Sequence, residues 1–162
     1  MPKITLVLHN IRSTHNVGSI FRTAEGFGVE KIVCSGYTPY PKIESDSRLP
    51  HISEKLASQI HKTALGAEEM VPFEYYEDID QWFAQNKLPI VALEQSSDSK
   101  NIDEYTPSED FALLLGEEVH GIEEQYLAKA QTTLEIPMKG KKESFNVSVA
   151  AAIALYELSR SI

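Results

Sequence analysis

The segment LLLGEEVHGI, residues 113–122, and the segment EIPMKGKKESFNVSVAAAI, residues 135–153, decide the reading of this chain. In each, an apolar strand-like run ends abruptly in Gly, Pro and charged residues, and the second then enters an alanine-rich, helix-like run. A third stretch of the same kind, NIRSTHNVGSIFRTAEGFG at 10–28, follows the first apolar run of the chain. In open α/β sheets such joints lie outside the carboxyl ends of the strands, where ligands bind. Three polar, Gly-bearing joints permit a single pocket at one edge of a sheet.

Outward from these joints the chain keeps a strand–helix rhythm. Strands are predicted at 4–9, 31–36, 71–76, 89–93, 111–115 and 133–137. Helices are predicted at 17–27, within 53–63, at 78–87 around Trp82, at 123–130 and at 147–161, the last being the longest. Asn16 and Asn146 are candidate N-caps, and Gly26 and Gly28 punctuate the end of the first helix. Residues 37–50 hold three prolines and read as a loop, and 96–107 is the most polar stretch, read as an exposed loop. The fold class this implies is α/β, a mostly parallel sheet with helices on both faces. A chain of 162 residues reads as one domain.

Composition bounds the function. No apolar run nears the length of a membrane span, and 4–9 reads as a first strand rather than a signal peptide. Cys34 is alone, which fits a reducing cytoplasm, and its setting in KIVCSG reads as a small buried side chain. The net charge of −9 speaks against a general nucleic-acid binder. A local basic surface stays open, because positive residues gather at Arg12 and Arg22, at Lys42 and Arg48, at Lys55 and Lys62, and at Lys139, Lys141 and Lys142. From charge alone, scattered solvated lysines are the favoured reading.

Several chemistries are excluded by what is missing. The five histidines show no ligand spacing, so no metal is expected. There is no G-x-x-x-x-G-K-[ST] loop, no G-x-G-x-x-G after the first strand and no G-x-S-x-G elbow. What remains is Asn16 and Arg22 around one helix start, Glu118 between Gly116 and Gly121, and Ser144 with Asn146 at another helix start. Each has a plain structural reading: caps, a surface arginine, glycines for a tight turn.

Taken together, N-x-x-x-x-x-N-x-G-x-x-x-R-T-A (10–24), L-G-x-E-x-x-G-I (115–122) and I-P-M-x-G…S-F-N-V-S-V-A-A-A-I (136–153) resemble, in order and spacing, the three motifs of the SpoU (TrmH) family. These are RNA ribose 2′-O-methyltransferases of the SPOUT superfamily. The resemblance runs from Ile4 to the C-terminus; Phe145 stands where the family usually has leucine. It implies a C-terminal deep trefoil knot, which no spacing rule would suggest. It also implies that 1–162 is a single methyltransferase domain without the N-terminal RNA-binding extension of many members.

The resemblance further implies S-adenosylmethionine as cofactor, bound by the loops after the strands at 91–93, 111–115 and 136–138. Gly116 and Gly121 would let backbone approach it, and Leu93, Ile136, Met138 and Phe145 would wall its adenine. The substrate would be tRNA or rRNA. Arg22 would be the catalytic arginine, with Asn16, Glu118, Ser144 and Asn146 as the polar residues that place ribose and cofactor, Glu118 orienting Arg22 or a hydroxyl. A guanidinium hardly ever gives up its proton, so Arg22 suits an electrostatic role better than that of a base. A homodimer is implied too, with the first and last helices packed across a two-fold axis and Arg22 reaching the partner's cofactor. Two alternatives stand beside this reading: a non-enzymatic RNA-binding protein of the same fold, and a flavodoxin-like α/β protein that binds another nucleotide.

Overall fold

Seven strands, all parallel, form one sheet in the order β3-β2-β1-β6-β4-β7-β5. The computed structural model describes residues 1–160. The strands are β1 (Ile4–His9), β2 (Lys31–Ser35), β3 (Phe73–Tyr76), β4 (Ile90–Leu93), β5 (Lys100–Asn101), β6 (Phe111–Leu115) and β7 (Thr132–Glu135). The helices are α1 (Thr14–Gly26), α2 (Pro50–Ala64), α3 (Ile79–Gln85), α4 (Glu124–Leu127) and α5 (Val147–Arg160). Among the described residues no helix is long and apolar enough to cross a membrane.

The sheet is covered on both faces, and the strand alternation shows it. Leu6 and Leu8 of β1, Ile32 and Cys34 of β2, and Phe111, Leu113 and Leu115 of β6 join one core with α1, α2 and α5. Val7, Val33, Ala112 and Leu114 point the other way, to a second core with Ile79 and Trp82 of α3 and Tyr126 of α4. Buried on both sides, β1 and β6 are covered along their whole length, and β6 reads as an unbroken apolar run. Each fully buried leucine there contributes about 1.5–3 kcal/mol relative to exposure. Cys34 is fully buried, and burial pushes its thiol up to about 12. Gly18 lets α1 and α2 approach closely: a Cβ on it would run into the carbonyl of Ile60 on α2.

Some element boundaries differ from the sequence reading. Asn16 does not cap α1; the helix begins two residues earlier, and Ser13 Oγ accepts the Asn16 N–H at 3.1 Å. α2 starts at Pro50 rather than at 53, because a proline has no N–H to lose in a first turn. With 15 residues α2 is longer than the 14 described residues of α5, whose expected end at Ser161 lies outside the described residues. The polar stretch 96–107 is not all loop: Lys100–Asn101 adds an edge strand to β7, and Ile102 behind it is buried.

Candidate active site

Three neighbouring strands, β6, β4 and β7, end beside one another, and a cavity of about 490 Å³ opens over their carboxyl ends. Leu93 to Gln95 after β4, Gly116 to Gly121 after β6, and Glu135 and Ile136 at the end of β7 form its floor; 143–147 and Ala150 at the start of α5 close it. Leu93, Leu115, Ile136, Phe145 and Val147 supply an apolar wall. The charged lining is one-sided. Glu94, Glu117, Glu118, Glu135 and Glu143 line the cavity, and no lysine or arginine does.

The turn after β6 is held almost entirely by its own neighbourhood. Gly121 N–H donates to the Glu117 carbonyl at 2.8 Å, and Gly121 has φ +71°, a conformation side chains resist. A Cβ on Gly116 would come within 2.8 Å of the backbone of Gly121 and Ile122, and one on Gly121 would fall on the Glu94 carboxylate. Both glycines therefore serve closure of the loop on protein atoms, the tight-turn role that the sequence also allowed them. Glu94 is the anchor beneath, accepting the N–H of Ile122 at 2.8 Å and of Gln95 at 2.9 Å. Nothing in the sequence singled out Glu94, since it works by accepting backbone hydrogen bonds and belongs to no motif. Backbone hydrogen bonds from His120 and Val119 hold the Glu117 carboxyl below its usual range, helped by the charge of Arg12.

One residue from each of the three sequence motifs meets at the cavity edge. Glu118 Oε1 accepts the Asn16 side-chain N–H at 3.4 Å, and Asn146 Nδ2 donates to Asn16 Oδ1 at 3.2 Å. Asn146 also caps α5: its Oδ1 accepts the Ser148 N–H at 2.9 Å. The other Glu118 contacts are the N–H groups of Arg12 at 3.3 Å and Ser13 at 3.5 Å. A carboxylate at the N-terminus of α1 also suits the helix dipole.

The expected site residues thus separate into groups. Glu118, Ser144 and Asn146 line the cavity, and Asn16 is tied to two of them. Leu93, Gly116, Gly121, Ile136 and Phe145 line it as well, but Met138 does not; beyond Ile136 the chain leaves the sheet and rejoins the lining only at Glu143. Arg22 is not on the lining. It stands exposed on α1, six residues past Asn16, without an ion-pair partner among the described residues. Within this chain Glu118 is hydrogen-bonded to the start of α1. Arg48 leaves the set of free cations, because its guanidinium is held by Asp46 and by the carbonyls of Tyr40 and Pro41. Among the described residues no group of three or more His, Cys, Asp or Glu is arranged to hold a metal ion.

Comparison with known proteins places the fold and the family. The chain is 30% identical to the "23S rRNA (guanosine-2′-O-)-methyltransferase RlmB" of Coxiella burnetii over 98% of its own length and 59% of that protein. It is 28% identical to the "tRNA (guanosine(18)-2′-O)-methyltransferase" of Thermus thermophilus, over 98% of itself and 75% of that protein. In three dimensions it resembles an AdoMet-bound rRNA methyltransferase from Sinorhizobium meliloti with a TM-score of 0.77 at 23% identity, over 98% of this chain and 56% of that one, a likeness of fold. The chain spans little more than half the length of several of the relatives it matches. Residues 3–156 match the model of the SpoU rRNA Methylase family, and the protein belongs to that family.

Proposed function

We propose that this protein transfers a methyl group from S-adenosylmethionine to a ribose 2′-hydroxyl in tRNA or rRNA. The observation that carries the proposal is the cavity itself: an apolar wall beside five glutamates, with no lysine or arginine. Such a lining repels the phosphates of an ordinary nucleotide and suits a ligand with a sulfonium and an ammonium group. The volume suits a ligand of that size. Bound there, the cofactor would supply an activated methyl group, so the protein's task is chiefly to orient two reactants. Leu93, Ile136 and Phe145 would wall the adenine, and the 116–121 turn would hold the rest in its locked backbone.

The chain's own residues have three further tasks. Asn16, Asn146 and Ser144 would place the ribose by hydrogen bonds beside the cavity. Arg22 would hold a phosphate or the developing alkoxide with its planar fork, leaving the proton to water or a carboxylate. Lys139, Lys141 and Lys142, exposed on the segment before α5, would meet the RNA backbone. The protein would act as a homodimer in the cytoplasm. Supporting this, Phe27 on the end of α1 and Val149 and Tyr156 on α5 are exposed, leaving an uncovered apolar face on the helix pair that carries Arg22. The relatives' fold leads us to place the crossings of a trefoil knot in the loops after β4, β6 and β7.

Calorimetric titration in the presence of a metal chelator tests the cofactor assignment. S-adenosylmethionine should bind with one site per chain and ATP should not. Binding of ATP in preference would overturn the reading of the cavity.

A further inference from the structure

We infer that Tyr37, with the Arg12 guanidinium beside it, is a stacking platform for an unpaired RNA nucleobase next to the nucleotide that is methylated. The inference rests on the proposed methylation of RNA. Tyr37 is 50% exposed, and the Arg12 guanidinium carbon lies 5.6 Å from its ring centroid. Neither side chain belongs to the cores or the cavity lining.

What distinguishes Tyr37 from an incidental surface tyrosine is how rigidly its backbone is held. Its N–H donates to Asn10 Oδ1 at 3.1 Å. Asn10 itself sits at φ 56°, an unusual conformation for a side-chain-bearing residue, and its Nδ2 lies 3.2 Å from His9 Nε2. His9 is buried and its Nδ1 meets Ser35 Oγ at 3.0 Å, while burial lowers its pKa and so favours the neutral ring. Gly36, at φ +65°, leaves room for the Asn10 carboxamide that a Cβ would strike. Thr38 then ties this turn to the motif loop: its hydroxyl donates to the Leu8 carbonyl at 2.9 Å and accepts the Ile11 N–H at 3.0 Å.

Position supplies the ligand class. The Arg12 N–H is bonded to Glu118, which lines the cavity, so Arg12 links the aromatic face to the cavity edge where a ribose would be placed. An aromatic face flanked by an arginine plane accepts any base by stacking and cation–π attraction, and single-stranded RNA is read in this way. A rigid backbone keeps the ordering cost of such a contact low.

The test uses the full chain, labelled S-adenosylmethionine and bulk RNA from cells lacking this protein as methyl acceptor. Tyr37→Ala and Tyr37→Leu should each raise the KM for RNA about tenfold, on the scale of one lost base stack. Tyr37→Phe and Tyr37→Trp should leave it near the starting value. S-adenosylmethionine affinity, melting temperature and oligomeric state should stay unchanged in all four. An unchanged KM in Tyr37→Ala, with the unaltered protein active, overturns the platform alone. So does Tyr37→Leu behaving like Tyr37→Phe, which would mean greasy contact rather than stacking, or a change in oligomeric state, which would mean a protein interface. An unaltered protein that methylates no RNA overturns the proposed function, and the platform with it.

Discussion

The turn after β6 and the outer face of α1 carry two conspicuous charges of the motifs, and the structure treats them in opposite ways. Glu118 is engaged by the N–H groups of Arg12, Ser13 and Asn16, and its turn closes on Gly121 and Glu94. Arg22 projects from a regular helix, exposed and without an ion-pair partner among the described residues. One region is completed within the chain; the other leaves its charge in solvent. The contrast follows from desolvation and geometry. A carboxylate beside a cavity needs fixed donors, whereas an arginine meant for a phosphate must stay unpaired until the phosphate arrives.

The comparison breaks most sharply at Arg22. Arg22→Lys keeps the charge and loses the planar fork, so methyl transfer should fall about 100-fold or more, the scale of one lost transition-state contact. S-adenosylmethionine affinity measured by calorimetry should not change. Full activity in the lysine variant would make Arg22 an ordinary surface residue. Mixing Arg22→Ala subunits with Gly121→Val subunits sharpens the point: verified heterodimers should recover transfer that neither parent shows, provided Arg22 serves the partner's cavity. No recovery would place both functions in one chain.

Gly121→Val attacks the locked region. The left-handed φ and the contact with Glu94 make the substitution strained, at about 1–3 kcal/mol. Melting temperature should drop by several degrees and cofactor affinity should fall with it. A variant that melts normally yet binds no cofactor would restore the simpler view that Gly121 only makes room for the ligand.

Arg48 offers a further contrast, between an arginine held within the chain and Arg22, the one proposed to act on the substrate. Its hydrogen bonds hold the Asp46 carboxyl well below the usual carboxylate range, after some opposition from burial. A depressed folded value means the pair's stabilisation is full above about pH 4, where the unfolded carboxyl titrates, and fades as pH falls toward the lower folded value. Asp46→Asn should therefore lower the melting temperature at pH 7, and the gap from the unaltered protein should narrow in strong acid. A gap constant with pH would remove the ion pair from the account. The smallest effect belongs to the solvated lysines: removing Lys141 and Lys142 together should weaken RNA binding severalfold and reduce its salt slope by about two, sparing S-adenosylmethionine. An unchanged salt slope would place the RNA elsewhere.

Much of this was legible in the sequence because the informative residues sit at strand ends. The apolar runs of β1 and β6 and the Gly-bearing joints after them announce a parallel sheet and its ligand edge. What stayed hidden has physical causes. β5 is two residues long and polar, and only its register with β7 and the burial of Ile102 show it to be a strand. Ser13 and Asn16 are both good caps on paper, and only the observed start of α1 chooses between them. Glu94 acts through backbone donors that leave no trace in residue types. Met138 sits in a motif, yet where the chain turns after Ile136 is a matter of backbone path, not of side-chain chemistry.

In the proposed function the acidic cavity and the exposed arginine together methylate ribose in RNA. The most direct measurement incubates the protein with methyl-labelled S-adenosylmethionine and bulk RNA, then digests the RNA with alkali. Alkaline cleavage needs a free 2′-hydroxyl, so label on a 2′-oxygen should appear in alkali-resistant dinucleotides, and should vanish with Arg22→Ala. Label recovered only in mononucleotides, or none in RNA at all, would contradict the account.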